Sequence, residues 1–283
     1  MSGFLLINKD VNMTSFDVIR ELKHILHTKH IGHCGTLDPF ATGLLVIGVD
    51  KACKFLSYIE SDYKIYKATL KLGEDTDTLD LEGKVINSKP FNHIKESDIL
   101  TIFSEYIGDI KQVPPMYSAL KQNGKKLYEL AREGIEVDRK ERDIHIDYIH
   151  LISFDKDEIV FECKCSKGTY IRTLGNDIAH SLNTCGHLIK LERLQIGNLT
   201  VNDAIKVSDV CLDDIKPIEE VLTLPKIVIE DETLYRMVKN GMTVKLDCDA
   251  NEVMCLDKEY HLIAIYYKND KFYKCRRGYW LWK

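Results

Sequence analysis

Among the nine cysteines of this 283-residue chain there is no C-x-x-C pair. That excludes both a zinc ribbon and a thioredoxin-like redox motif. The cysteines are odd in number and scattered, with only Cys163 and Cys165 close together, so they read as reduced thiols that mostly fill the core. No apolar run approaches the length of a membrane span. The opening MSGFLLINKD has no basic segment followed by a long apolar core, so no signal peptide is expected, and the expected location is cytoplasmic. Tandem repeats and low-complexity tracts are absent. An excess of positive charge is absent too: 39 Lys and Arg stand against 44 Asp and Glu, a net charge of −5. Nucleic-acid binders are often basic overall, but a local basic face suffices. Candidate faces are Lys64/Lys67/Lys71, the run from Lys121 to Arg142, and Lys167/Arg172/Lys190/Arg193.

What is present is a chain with 45% hydrophobic and 29% charged residues, the balance of a soluble globular protein. Its length allows one large domain and a small one. Gly3–Asn8 reads as a strand, and Thr14–Asp17 as a capping-box-like start to a helix carrying Val18, Ile19, Leu22, Ile25 and Leu26. The helix ends before Gly32, where a glycine-rich loop begins. That loop, GHCGTLDPFATGLL, holds His33 and Asp38 and feeds a buried strand from Gly43. Asp38 precedes Pro39 and is pushed out of helical geometry. Ile65–Leu72 alternates as a half-buried strand with Tyr66 on the apolar side. The following LGEDTDTLDLEG lacks the EF-hand order and reads as a solvated loop. Ser97 caps a helix with Ile99, Ile102, Phe103, Tyr106 and Ile107 on one face. The stretch 143–165 gives two strands joined near Asp155–Asp157, and SKGTYIRTL sits at the corner where the second strand turns into a helix. From about residue 226 the chain holds one short helix and several short strands, a small, mostly β module.

Three features taken singly have ordinary readings: an Asx-turn at Asp38, a hydrogen-bonded loop histidine at His33, and a surface hairpin-and-helix insertion with Asn123-Gly124 at its turn. Taken together, GHxGTLDPxATGLL, GxxTDTxDxxG, the segment QVPPMYSALKQNGKKLYELAREGIEV and SKGTYIRTL resemble the TruB family of bacterial tRNA pseudouridine-55 synthases over about residues 3–200. The resemblance implies an α+β fold: a mixed, mainly antiparallel sheet with flanking helices. An RNA-gripping insertion at about 114–142 belongs to a catalytic domain of residues 1–224. Residues 225–283 would form a PUA-like RNA-binding module.

It also implies isomerisation of a T-loop uridine without cofactor or metal, by flipping the base out of structured RNA. Asp38 would be the essential carboxylate, kept charged by Arg172, since a nearby cation lowers a carboxylate pKa. Tyr66 would stack on the flipped base, Tyr170 and Leu191 would wall the pocket, and His33 would contact the RNA loop. Lys9 matches a family lysine usually followed by proline; here Asp10 follows, so its role is a supporting one. Whether Asp38 attacks C6 of the base, attacks C1′ of the ribose or assists proton abstraction stays open. The expected partner is the T-arm of tRNA, bound by a monomer with no obligatory protein partner and no membrane. Two other readings are an RNA chaperone that keeps the fold without catalysis and the catalytic subunit of a guide-RNA particle. The intact Asp38, Tyr66 and Arg172 set disfavours the first, and the 114–142 insertion disfavours the second.

Overall fold

In the structure, a computed structural model that describes residues 2–60, 63–122 and 124–279, β1 (Gly3–Lys9) leads into α1 (Ser15–Ile25). The start of α1 is the reciprocal cap expected from the sequence. The Asp17 N–H donates to Thr14 Oγ1 at 3.0 Å, and the Thr14 N–H donates to the Asp17 carboxylate at 2.9 Å. Val18, Ile19 and Leu22 are buried. A strand then appears where a loop was expected. β2 (Ile31–Cys34) pairs antiparallel with the second half of β3 (Thr42–Val49), setting His33 opposite Ile47. So His33 leaves from a strand, not from the tip of a loop. β1 pairs antiparallel along β3, from Gly3 opposite Val49 to Lys9 opposite Gly43.

After α2 (Leu56–Glu60) comes β4 (Lys64–Leu72), with Tyr66, Ala68, Leu70 and Leu72 all buried as the alternation predicts. The next segment is not a solvated loop. It forms the hairpin β5 (Glu74–Thr76) and β6 (Val85–Ser88), and Asp75, Thr76 and Asp80 are buried. α3 (Glu96–Glu105) begins one residue before Ser97, because the Asp98 carboxylate accepts the Lys95 N–H at 2.9 Å and takes the role expected of Ser97. Its buried residues are Ile99 and Phe103, whereas Ile107 lies beyond it and is 47% exposed. β7 (Gly108–Gln112) precedes the insertion, which holds a short hairpin of β8 (Lys121–Gln122) and β9 (Lys125–Lys126) followed by α4 (Leu127–Arg132). Asn123, expected at the hairpin turn, lies outside the described residues. Gly134 takes φ +72° just past α4, the left-handed step that ends many helices.

β10 (Arg142–Asp155) and β11 (Glu158–Cys165) form the expected hairpin, with Ile159, Phe161, Cys163 and Cys165 buried. α5 (Ile171–Ser181), β12 (Gly186–Ile196), the short β13 (Leu199–Thr200) and α6 (Ile218–Val221) complete the larger part. The main sheet has the order β1-β3-β12-β4-β11-β10-β7. β12 enters between β3 and β4, parallel to β3 at Thr42 and Gly43 and antiparallel to β4 along its length. The sheet is therefore joined through one late strand, beside the loop that carries Asp38.

The remaining residues build a separate four-stranded sheet. Its strands are β14 (Lys226–Val228), β15 (Glu252–Leu256), β16 (Leu262–Asn269) and β17 (Phe272–Gly278), with α7 (Glu232–Lys239) between the first two. Tyr273, which reads as an exposed aromatic in the sequence, is buried instead. Its hydroxyl donates towards the Cys248 and Ala250 carbonyls at 2.7 and 2.9 Å. Trp280, read the same way, lies outside the described residues. One face of this sheet is not its own: Met254, Leu256, Leu262 and Ile265 share a buried cluster with Phe4, Leu6 and Phe55 of the larger part.

Candidate active site

Asp38 sits on the link between β2 and β3, and that link is pinned from three sides. Leu37 donates its N–H to Ser15 Oγ at 2.9 Å. The Pro39 carbonyl accepts the Asn12 N–H at 2.9 Å and Lys9 Nζ at 3.2 Å. Lys9 is fully buried, and its ammonium also donates to the Met13 carbonyl at 2.6 Å and the Asp10 carbonyl at 3.0 Å. All three of its protons thus have acceptors, and burial still lowers its pKa to about 8. Asp10 still offers Lys9 its backbone carbonyl, and its charge opposes the lowering by burial. Arg193 forms the third pin. It is buried at the β3–β12 junction, where Nε donates to the Leu44 carbonyl at 2.7 Å and Nη2 to the Gly35 carbonyl at 3.0 Å. Gly43 permits this approach: it has φ +97°, and a Cβ there would lie 2.4 Å from the Arg193 carbonyl oxygen.

Arg172, near the start of α5, meets Asp38 side on. Nε pairs with Oδ2 at 2.9 Å, and Nη2 donates to Oδ1 at 3.1 Å. The other N–H groups are equally engaged. Nη2 donates to the Tyr117 carbonyl at 2.7 Å, while Nη1 donates to the Thr78 carbonyl at 2.8 Å and pairs with Asp80 Oδ2 at 3.3 Å. Asp80 is held in turn by the Thr78 hydroxyl at 2.5 Å and the Glu82 N–H at 3.1 Å. Leu79 between them takes φ +62°, a conformation that costs a non-glycine residue roughly 1–2 kcal/mol. A fully satisfied fork with fixed planarity orients the carboxylate it grips.

The balance of charge differs from the expectation. Burial pushes the Asp38 pKa up, with Asp80 acting in the same direction, and this outweighs the opposing pull of Arg172 and Lys9. An ionised Asp38 therefore carries a cost in this fold. Its side chain retains 32% of its accessible surface, so it is not sealed off.

The other expected site residues are placed as follows. Tyr66 on β4 and Leu191 on β12 are both nearly buried and belong to the cluster that includes Leu37, Phe40 and Ala41. Burial pushes the Tyr66 phenol up to about 12, and Arg193, its cross-strand neighbour, hydrogen-bonds to it. The phenol thus keeps its proton at neutral pH. Tyr170 caps α5, and its backbone is clamped by Gln112, which accepts its N–H at 2.8 Å and donates to its carbonyl at 3.1 Å. His33 stands apart on β2. Its Nδ1 is buried without a hydrogen-bond partner among the described residues, and burial, then Arg193, lowers its pKa.

Two side chains central to the site were not singled out in the sequence. Asp80 lay within GxxTDTxDxxG, a run whose spaced carboxylates look solvated. Arg193 was assigned to a basic surface face. That assignment is wrong for Arg193, for Arg172 and for Lys64, all of which are buried, because each neutralises or ties backbone inside the fold.

The comparisons with known proteins agree with this architecture. The profile of the TruB family pseudouridylate synthase (N terminal domain) matches residues 23–171. "tRNA pseudouridine synthase B" of Clostridium kluyveri is 43% identical over 277 residues, covering 96% of this chain and 94% of that protein. The protein of the same name from Fusobacterium nucleatum is 43% identical over 253 residues, covering 87% and 88%. Among solved structures, a chain of a Cbf5-Nop10-Gar1 complex superposes with a TM-score of 0.74 at 22% identity, over 98% of this chain and 84% of that one. A chain of an H/ACA RNP bound to a substrate RNA gives 0.72 at 20% identity, over 98% and 84%. These two establish the likeness of fold alone. The profile match and the identity over nearly the whole length together decide the family: the chain belongs to the TruB family of pseudouridylate synthases.

Proposed function

We propose that the chain isomerises a T-loop uridine of tRNA to pseudouridine, with Asp38 as its essential carboxylate, and that it acts as a cytoplasmic monomer without a guide RNA. The observation that carries the reading is the bidentate contact of Arg172 with Asp38, braced by Asp80. A purely RNA-binding surface has no use for a destabilised carboxylate that would repel phosphates.

The reaction breaks the N1–C1′ bond of uridine and joins C5 to C1′. N1 gains a proton and C5 loses one, so the product is an isomer and no electron donor is needed. In this reading the target base is flipped at a cost of a few kcal/mol and recovers it by stacking on Tyr66 against the wall of Leu191 and Tyr170. Asp38 engages the nucleoside as the glycosidic bond opens. Arg172 holds the carboxylate's plane, and its contact with Asp80 keeps the fork in place when Asp38 changes partner. Tyr66, protonated at neutral pH, offers a stacking face and a hydroxyl but no base. His33 on β2 receives the RNA loop, and the pinned Lys9 supports the Asp38 link from behind.

The residues 114–142 are assigned to grip on the T-arm. Lys121, Lys125 and Arg132 are exposed, and Lys126 and Arg132 flank the Tyr128 ring at 5.3 and 5.6 Å. Residues 225–283 extend that grip as a PUA-like module, with residues 1–224 as the catalytic part. Incubating the purified full chain with an unmodified tRNA transcript, followed by mapping of pseudouridine, tests the whole reading. Modification confined to the T-loop uridine is expected. Absence of product, or product only when a guide RNA is added, overturns it.

A further inference from the structure

Asp75, at the start of the segment that ends in Asp80, gathers an unusual set of donors. Its Oδ1 accepts Asn176 Nδ2 at 2.7 Å and the Gly186 N–H at 3.0 Å. Its Oδ2 faces His180 Nε2 at 2.9 Å. The Cys185 thiol completes the group, and the carboxylate, imidazole and sulfur atoms all lie within 4.8 Å of one another. We propose that Asp75, His180 and Cys185 bind a thiophilic first-row dication, zinc foremost, at a site separate from Asp38.

The donor set carries the choice of metal. A thiolate selects against calcium and magnesium, and one sulfur, one nitrogen and one oxygen suit tetrahedral zinc. Bonds of about 2.0–2.3 Å to such ligands set donor separations of roughly 3.3–3.6 Å. The Oδ2–Nε2 separation of 2.9 Å lies just below that range, and all three donor atoms lie within 4.8 Å of one another.

The surroundings are arranged as an outer shell. Asn176 and Gly186 hold Oδ1, while Oδ2 faces His180 and takes only a longer contact from Asn87 Nδ2 at 3.4 Å, which a metal would displace. Asn87 Nδ2, 3.1 Å from Cys185 Sγ, is placed to donate to a thiolate. Cys185 is fully buried, and a bound dication replaces its thiol proton. On binding, the thiol proton goes to solvent and a neutral His180 turns its Nε2 lone pair to the metal. A dication with Asp75 and Cys185 as anions then leaves no net charge behind. The His180 side chain is 47% exposed and provides the way in. Three protein ligands leave the fourth position for water.

The site lies where it would matter. Arg172, Asn176 and His180 are spaced by four residues along α5, so they form one stripe of the helix. Arg172 grips Thr78 and Asp80, while Asn176 and His180 grip Asp75. A metal at the far end would tie α5 to the same short segment that braces the Asp38 partner.

The test is a titration of the metal-stripped, reduced full chain with Co2+, followed by competition with Zn2+. A tetrahedral spectrum with a thiolate-to-cobalt charge-transfer band, lost in Cys185→Ser and displaced by zinc, is expected. Because Cys185 is buried, His180→Gln is the second variant. It should weaken binding by at least the roughly 10–100-fold that loss of an outer-shell partner causes, and zinc should raise the melting temperature of the parent but not of this variant. No thiolate band in the parent, a band that survives both substitutions, or an equal melting shift in parent and His180→Gln each overturns the proposal.

Discussion

Burial raises the pKa of Asp38, and a carboxylate that is both essential and destabilising is expected to separate activity from stability at a single residue. A carboxyl whose folded pKa lies above its unfolded value of 3.8 costs stability at every pH above that folded value. The cost vanishes below 3.8, where both states are protonated. Asp38→Asn mimics the protonated acid, and Arg172 keeps Asp80 and two carbonyls as partners. The variant is therefore expected to lose pseudouridine formation while melting above the parent at pH 7, with the gain gone below about pH 3.8. Melting curves across pH, run beside a tRNA assay, check both halves; a lower melting temperature at pH 7 would contradict the direction of the shift. Lys9 gives the opposite window. Its folded pKa of about 8 lies below its unfolded value of 10.5, so the unfolded chain holds the extra proton between those two pH values. Stability contributed by Lys9 should rise as pH climbs through that window, and the denaturation free energy of the parent should gain on that of Lys9→Met over the same range. Asp38 and Arg172 stand out in the sequence because each sits in a long motif, and Tyr66 because its strand alternates. The sign of the Asp38 shift does not, since it depends on how much surrounding mass excludes water, which no local string encodes. Asp80 was missed for a related reason: an aspartate between threonines looks solvated until its arginine, distant in sequence, is folded onto it.

Elements with a clear period were read correctly, and those that depend on a distant partner were not. β4, β11 and α5 announce themselves by alternation or helical spacing, because each packs one face on the shared core. β2 has too few residues and too much glycine for that signal, and it becomes a strand only by adding to the open edge of β3. The β3–β12 junction is likewise invisible in the sequence, yet it fixes the identity of Gly43. Gly43→Ala combines φ +97° with a Cβ 2.4 Å from the Arg193 carbonyl oxygen, and neither backbone can retreat without breaking the pinned Asp38 link. A loss of roughly 3–5 kcal/mol is expected, in the range of severe overpacking. Gly124→Ala is the matched control. It has φ +86° but nothing within 4 Å of the added carbon, so only the conformational cost of about 1–2 kcal/mol should appear. Equal losses by urea denaturation would show that the close approach at Gly43 is unimportant.

At the scale of the whole molecule, the strands from Lys226 onward form a sheet of their own. The sequence does not show how that sheet is attached. Met254, Leu256, Leu262 and Ile265 complete a cluster with Phe4, Leu6 and Phe55, so removal of residues 226–283 bares an apolar face. The truncated chain is expected to melt lower than the parent and to self-associate, as read by calorimetry and light scattering; a truncation that melts unchanged would mean the shared cluster contributes nothing. The place of β12 in the main sheet has a consequence for the chain's birth. β3 and β4 are close in sequence, yet neither can complete its pairing until β12 has been made and inserted between them. At about 5–20 residues per second, translation from Leu72 to Gly186 occupies on the order of 10 s. Throughout that interval the nascent chain carries at least two open strand edges, and both edges of β4 stay open until β11 is made, templates for pairing with a neighbouring polypeptide. The ribosome therefore releases this fold late, and the period before β12 emerges is when the growing chain most needs a chaperone's cover.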